Sequence, residues 1–366
     1  MDYSQVAVPN RKLSLAMIVK NESRCLARCL QSVKGIVDEI VIADTGSTDD
    51  TTKIAREFGA KISNFDWVDD FAAARNFAIH QTTGDWILVL DGDEWVGENL
   101  AKEIPAFWRG KPAVGWVKQV SDFRRNNQTF RAQCMTPRLF PRGAHYEGRI
   151  HEQLISPLPR ANLRGELWHD GYVDLQRKGD RNMKLLLAEL ERDPDNVYFL
   201  FQLASEYNAI SQPEKAFGCL QKAFARVKPG DALAPNIAVD FLYTIMALKK
   251  FEAGIEAAAR AEQYLGDFPD FFLVRGLFFM NLIRSNPAKY VSELPKIEQS
   301  FRRCLALGED ETRRSVHGSG TFLANYNLGV FYQAFGNSEG ARRCFESAAA
   351  QGYEPAAALL EKMSGG

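Results

Sequence analysis

From residue 13 to residue 90 the chain alternates short apolar runs with stretches in which apolar residues recur every three or four positions. The runs at residues 13–19, 39–43, 60–64 and 86–90 predict strands, and the segments 22–33, 51–58 and 71–80 predict helices. In segment 22–33, for example, Cys25, Leu26, Cys29, Leu30 and Val33 fall on one helical face. Residues Ser47 to Asp50 supply turn and N-cap chemistry before segment 51–58, and Gly59 supplies its C-cap. The run Trp86-Ile87-Leu88-Val89-Leu90 is apolar on both faces, which suits a central strand of a parallel sheet covered by helices. Strand and helix in strict alternation predict a doubly wound α/β sheet of Rossmann-like, nucleotide-binding type.

Residues 113–172 break into short apolar runs interrupted by Gly, Pro and polar pairs, such as Asn126-Asn127 and Pro141-Arg142-Gly143, and predict antiparallel strands and loops. Beyond Asp174 the pattern becomes all-α. Leu203-Ala204, Tyr207, Ala216, Leu220 and Ala223 recur at a constant offset as Leu328-Gly329, Tyr332, Ala341, Phe345 and Ala348. This resembles the tetratricopeptide (TPR) unit of about 34 residues, two helices with small side chains where they cross. Residues 241–261 and 271–307 read as divergent pairs of the same sort. The expected organisation is an α/β domain over 1–175 followed by a helical linker and TPR-like repeats over 176–366.

The chain has 366 residues, 46% apolar and 25% charged, with a formal net charge of −1. That length exceeds a single core, and the near-neutral balance excludes the basic field of a nucleic-acid binder. Six scattered cysteines favour a reducing, cytoplasmic setting over a disulfide framework. No signal peptide is expected in the polar stretch of residues 1–12, and no run reaches the length of a membrane span.

Candidate chemistry gathers where the apolar strands stop, because ligands of such sheets collect at the carboxyl ends of the strands. Asn21 and Glu22 follow the first strand, Asp44 follows the second, Arg75 lies on a helix that starts near Asp70, and Asp91-Gly92-Asp93 follows the central strand. Paired carboxylates can offer oxygens to a hard divalent cation while leaving positions for phosphate oxygens. Each feature has a plainer use: a turn for Asp-Gly-Asp, a capped loop for Ser47 and Asp49, a solvated face for Arg75.

Together, in this order and spacing, the four features resemble the family 2 glycosyltransferases of GT-A fold over roughly residues 13–96. The resemblance implies a nucleoside contact for Asp44, nucleotide-sugar contacts for Asn21, Glu22, Arg75 and Asp91, and a divalent cation, Mn²⁺ or Mg²⁺, on Asp91 and Asp93. Arg138-Leu139-Phe140, the run from His145 to Leu154, and Trp168-His169-Asp170-Gly171-Tyr172 resemble the acceptor half of bacterial protein and peptide glycosyltransferases that carry a helical repeat tail, including those that modify a bacteriocin cysteine. The activity implied is inverting transfer from a nucleotide sugar, a UDP-sugar foremost, to a peptide, protein or glycan acceptor. Glu152, between Ile150 and Leu154, is the expected catalytic base and Asp122 the reserve. His151 is a candidate third metal ligand or diphosphate donor, whereas His145, Glu147 and His169 carry no assignment. Trp95 and Trp116 could stack on a sugar or simply pack in the core. The helical part is expected to join two copies into a homodimer. Two alternatives stand beside this reading: a non-catalytic TPR scaffold with a degenerate α/β domain, and a nucleotidyltransferase, although the Gly-rich loop with a basic residue that such an enzyme needs near the first strand is missing; the lack of a GxGxxG segment or P-loop argues against a dinucleotide dehydrogenase or an NTPase.

Overall fold

The computed structural model describes residues 11–125, 128–170 and 175–364. The reading of residues 1–12 as a polar leader-free start falls mostly outside them, as do the Asn126-Asn127 break and Gly171-Tyr172. The chain divides into two compact units, Met1–Val173 and Asp174–Gly366.

The first unit opens with β1 (Leu13–Val19), α1 (Leu26–Ser32), β2 (Glu39–Asp44), α2 (Thr51–Glu57), β3 (Lys61–Asn64), α3 (Phe71–Gln81) and β4 (Trp86–Val89). It continues with β5 (Glu94–Val96), α4 (Glu98–Trp108), β6 (Val114–Arg125), β7 (Gln128–Pro141), β8 (His145–Glu147), β9 (Gln153–Ile155) and β10 (Arg160–His169). The main sheet runs β3-β2-β1-β4-β7-β6-β10-β5, and β8 pairs with β9 apart from it. Strands β1 to β4 are mutually parallel, so the carboxyl ends of β1, β2 and β4 share one edge. Strand β7 runs antiparallel to β4, β6 antiparallel to β7, and β10 parallel to β6. The end of β10 therefore returns to the edge where β4 ends. The pattern of residues 113–172 predicted only antiparallel pairing, and the parallel β6–β10 pair departs from it. A long connection that includes β8 and β9 separates these strands and gives the chain room to cross over.

Local chemistry explains the boundaries. The first helix starts later than its apolar face predicted, because residues 20–25 form a loop in which Asn21 adopts φ 57. Asp70 caps α3 by accepting from the Ala73 N–H at 2.9 Å. Gly59, at φ 76, follows α2 and donates its N–H to the Arg56 carbonyl, a left-handed helix ending. The two faces of the sheet carry separate cores. Leu15, Met17, Leu88 and Leu90 face α1 and α4 residues such as Leu30 and Ile104; Ala16, Ile87 and Val89 face α3 and Tyr146.

The second unit is helical. After Leu175–Arg192, helices pack in sequential pairs: Val197–Ala209 with Pro213–Arg226, Ala234–Leu248 with Phe251–Glu262, Pro269–Ser285 with Leu294–Leu307, and Phe322–Ala334 with Ser338–Ala349. The recurring residues noted in the sequence are the crossing points. Ala204, Ala216, Leu220 and Ala223 are buried in the first pair, and Leu328, Ala341, Phe345 and Ala348 in the last. Gly329 lies against the Phe345 ring so closely that a Cβ would meet it at 2.6 Å. No helix among the described residues is long and apolar enough to cross a membrane.

Asp270, buried at the start of its helix, accepts from the Val316 N–H at 2.8 Å. Burial pushes its carboxyl up to about 7, with Glu309 and Asp310 adding to the shift. As pH rises, the unfolded chain loses this proton first, near 3.8, so the stability it contributes is complete below that value and lost through about pH 7. Asp270→Asn removes the dependence. Urea unfolding at pH 4 and pH 8 is expected to show the variant gaining on the wild type by on the order of 4 kcal/mol across that interval.

Candidate functional site

Three loops at the carboxyl edge of the parallel strands are laced together by short polar side chains. Asp44, buried at the end of β2, accepts from the Ser47 N–H at 3.1 Å. Ser47 Oγ accepts from the Asn21 N–H at 3.0 Å, and Asn21 Oδ1 accepts from the Thr48 N–H at 2.7 Å. Thr51 Oγ1 takes the Glu22 N–H at 2.7 Å. Asp49 accepts from Thr51 and Ser23; burial works against its ionisation, but these bonds prevail and hold it at about 2. The loop after β4 presses on the same group, for a Cβ at Gly92 would meet Glu22 Cγ at 2.9 Å. Asn21, Glu22, Asp44 and the Asp91-Gly92-Asp93 turn thus form one continuous rim.

Behind the rim lies a chain of charges, buried except at Asp91, whose side chain is one third exposed. Arg75, on α3, donates Nη2 to Asp91 Oδ1 at 2.7 Å and Nε to Glu152 Oε1. Arg138, on β7, donates Nη2 to Asp91 Oδ2 at 3.3 Å and to Glu94 Oε1 at 2.7 Å. The pairing of Ile87 with Phe140 and Leu88 with Leu139 brings Arg138 level with the end of β4. Both arginines are about nine-tenths buried and Glu94 is fully so. Burial would raise the Asp91 pKa, but the two guanidiniums outweigh it and hold the carboxyl far below the ordinary range. Glu94 goes the other way, since burial outweighs Arg138 and raises it. The Arg75 guanidinium also lies 5.5 Å from the centre of the Tyr146 ring.

The second acid of the turn has a different neighbour. Asp93 Oδ2 is 3.5 Å from His169 Nε2, and His169 Nδ1 is 3.0 Å from Ser121 Oγ. Burial lowers the imidazole's affinity for a proton, yet Asp93 outweighs it and the net shift is upward. Asp170, next in sequence, donates its N–H to the Asp93 carbonyl and binds Arg24 and Arg28 of the α1 region at 2.9 and 2.8 Å. One carboxylate and one imidazole side by side could offer an oxygen and a nitrogen to a divalent cation, a mixed set that fits a transition ion such as Mn²⁺ better than Mg²⁺. Among the described residues no three His, Cys, Asp or Glu side chains form a cation cage.

Of the residues singled out by sequence, Asn21, Glu22, Asp44, Arg75, Asp91, Asp93 and Glu152 share this edge of the sheet. Asp91, expected as a metal ligand, is instead engaged by two arginines. Glu152, expected to be a desolvated carboxylate among apolar neighbours, is ion-paired with Arg75. His151 lies in the β8–β9 loop at φ 52. Asp122 pairs with Arg131 across the β6–β7 hairpin at 2.8 Å, and both side chains are exposed. Trp95 stacks on Trp168 on neighbouring strands with Arg28 over its ring. Arg138, Glu94, Tyr146 and His169 were missed as site residues. His169 had a signal available, a histidine ending an apolar-alternating segment and followed by an acid.

Replacing Arg138 by Met leaves Glu94 buried without its guanidinium, and urea unfolding is expected to show a loss of about 3–5 kcal/mol. Adding Glu94→Gln to Arg138→Met is expected to recover most of that loss, because the stranded charge is gone.

Residues 14–159 match the family model described as Glycosyl transferase family 2. A TPR repeat-containing protein of Synechococcus elongatus is 60% identical over 271 residues, covering 68% of this chain and 64% of that protein. The SPbeta prophage-derived glycosyltransferase SunS of Bacillus subtilis is 29% identical over 230 residues, covering 59% of this chain and 54% of SunS. The chain thus spans less than two thirds of the length of these relatives. Among solved structures, MamA is 19% identical, covering 50% of this chain and 92% of its own, with a TM-score of 0.39. The doubly wound sheet and the acidic turn after β4 lie within the stretch that matches glycosyl transferase family 2, so the first unit is similar to that family, with TPR-like helices following it.

Proposed function

We propose that the protein is an inverting, cation-dependent glycosyltransferase that moves a sugar from a nucleoside diphosphate sugar, UDP-sugars first, to a nucleophile on a peptide, protein or glycan. One observation carries the reading: Asp44 and Asp93 sit on one rim at the carboxyl ends of β2 and β4, and the β10 histidine His169 stands beside Asp93. The carboxylate of Asp44 accepts hydrogen bonds only, which suits the N–H of a base or a ribose hydroxyl. Asp93 and His169 would hold Mn²⁺ or Mg²⁺; Asp91, also expected as a ligand, fits less well because it is already shared between two arginines. When bound, such a cation stabilises the negative charge that builds on the departing diphosphate.

The chain's own residues supply the rest. The acceptor nucleophile attacks the anomeric carbon, its proton passes to Glu152 Oε2, and the bond from that carbon to the diphosphate oxygen breaks with its electrons going to the oxygen. Arg75 takes the other oxygen of Glu152 and so fixes the carboxylate's direction. Asp122, exposed and paired at the hairpin, is the weaker choice of base.

All six cysteines are free thiols, which supports a reducing, cytoplasmic compartment. Two copies assemble through the helical unit in this proposal, and light scattering that returns a monomer at micromolar concentration removes this part of it.

The central test is binding and turnover. UDP with Mn²⁺ is expected to raise the melting temperature of the wild type, since a ligand of the native state alone stabilises it. Asp93→Ala and His169→Ala are each expected to fold, to lose that shift, and to lower transfer or hydrolysis of UDP-sugars about a hundred-fold or more. A wild type that neither binds nor turns over UDP-, GDP- or dTDP-sugars with Mn²⁺ or Mg²⁺ overturns the proposal.

A further inference from the structure

Asp91 and Asp93 are separated by one glycine, yet they face different side chains. Asp93 faces an imidazole, a group able to share a cation with it. Asp91 faces two buried guanidiniums, one on each oxygen, each of which is permanently charged. A divalent cation on Asp91 would sit beside both of these positive charges, which repel it. The two arginines also reach away from Asp91 to separate carboxylates, Glu152 on one side and Glu94 on the other. Asp91 is thus the middle link of a continuous line, Glu152–Arg75–Asp91–Arg138–Glu94, that ties the β8–β9 loop to α3, to the end of β4 and to β7.

We infer that Asp91 is a positioning residue: it orients Arg75 and through it the carboxylate of Glu152, and it does not bind the cation. The inference rests on the glycosyl-transfer reading above. Removing the Asp91 charge frees Arg75 to rotate, and Glu152, held by that guanidinium alone among the described residues, loses its direction. Two groups that act through a shared third are non-additive when changed together. Asp91 and Glu152 are therefore coupled although neither touches the other.

The experiment compares Asp91→Asn, Asp93→Asn, Glu152→Gln and the double variant Asp91→Asn/Glu152→Gln in the full chain. Mn²⁺ affinity in the presence of UDP is read by calorimetry, kcat and KM with a UDP-sugar by product release, and folding by thermal melts. Asp93→Asn is expected to weaken Mn²⁺ binding about ten-fold or more, whereas Asp91→Asn leaves it within about two-fold. Asp91→Asn is expected to lower kcat about ten-fold or more with KM for the donor little changed, and the double variant to be no slower than Glu152→Gln alone. Should Asp91→Asn fail to fold, Arg75→Lys serves in its place, because lysine keeps the charge and loses the fork that spans both carboxylates; a fall in kcat at unchanged Mn²⁺ affinity is expected. Mn²⁺ binding weakened equally by Asp91→Asn and Asp93→Asn overturns the inference, and so does a double variant whose losses multiply. A wild type without UDP·Mn²⁺ binding or turnover fails earlier and differently, removing the transfer reading itself.

Discussion

The carboxylate of Asp91, shared between Arg75 and Arg138, is the interaction on which the rest of the first unit turns. Five charged side chains from α3, β7, the β4–β5 segment and the β8–β9 loop meet there, most of them out of contact with water. Ionic groups so placed are tolerable only when every charge has a partner, since a lone buried charge costs several kcal/mol while a complete set nearly cancels. The set is complete only if β7 pairs with β4 in the observed register and the loop carrying Glu152 folds over α3. The network therefore stabilises less than it selects: it penalises any arrangement in which one of these elements is out of place.

That selection explains the division of labour along the rim. Asp44, Asn21 and Ser47 are organised by backbone N–H groups and neutral side chains, which leaves the rim polar. Asp93 stands beside His169. Two acids with different partners are thus kept one residue apart by Gly92, whose missing Cβ lets the turn lie against Glu22.

Much of this was legible in the sequence because it is local. The apolar runs that become β1, β2 and β4 end where the polar motifs begin, so the position of Asp44 and Asp93 at a strand edge follows from strand periodicity and the parallel rule. The repeat spacing of Ala204, Ala216 and Ala223 was equally local, since small residues are required wherever two helices cross closely. What escaped notice depends on partners distant in the chain. Arg138 lies 47 positions from Asp91 and 44 from Glu94, and no periodicity within β7 marks one arginine as internal. The three-residue strand β5 is too short to show alternation, and the parallel course of β10 beside β6 is a property of the crossover between them. Glu152 was identified as acidic and shielded, but its ion pair belongs to tertiary contact with α3.

The position of β10 in the order of strands has a consequence for how the protein comes into being. The parallel layer of β1 to β4 draws on residues before 90, whereas His169 and Asp170 arrive only when the last strand of the unit docks beside β6 and takes β5 on its far side. On a ribosome, a chain that has delivered Asp93 still lacks the histidine that faces it and the acid that Arg24 and Arg28 grip, until roughly the whole first unit has emerged. Contacts of such long sequence separation form late because loop closure must precede them. A nascent or truncated product can thus own a folded parallel layer without a finished rim.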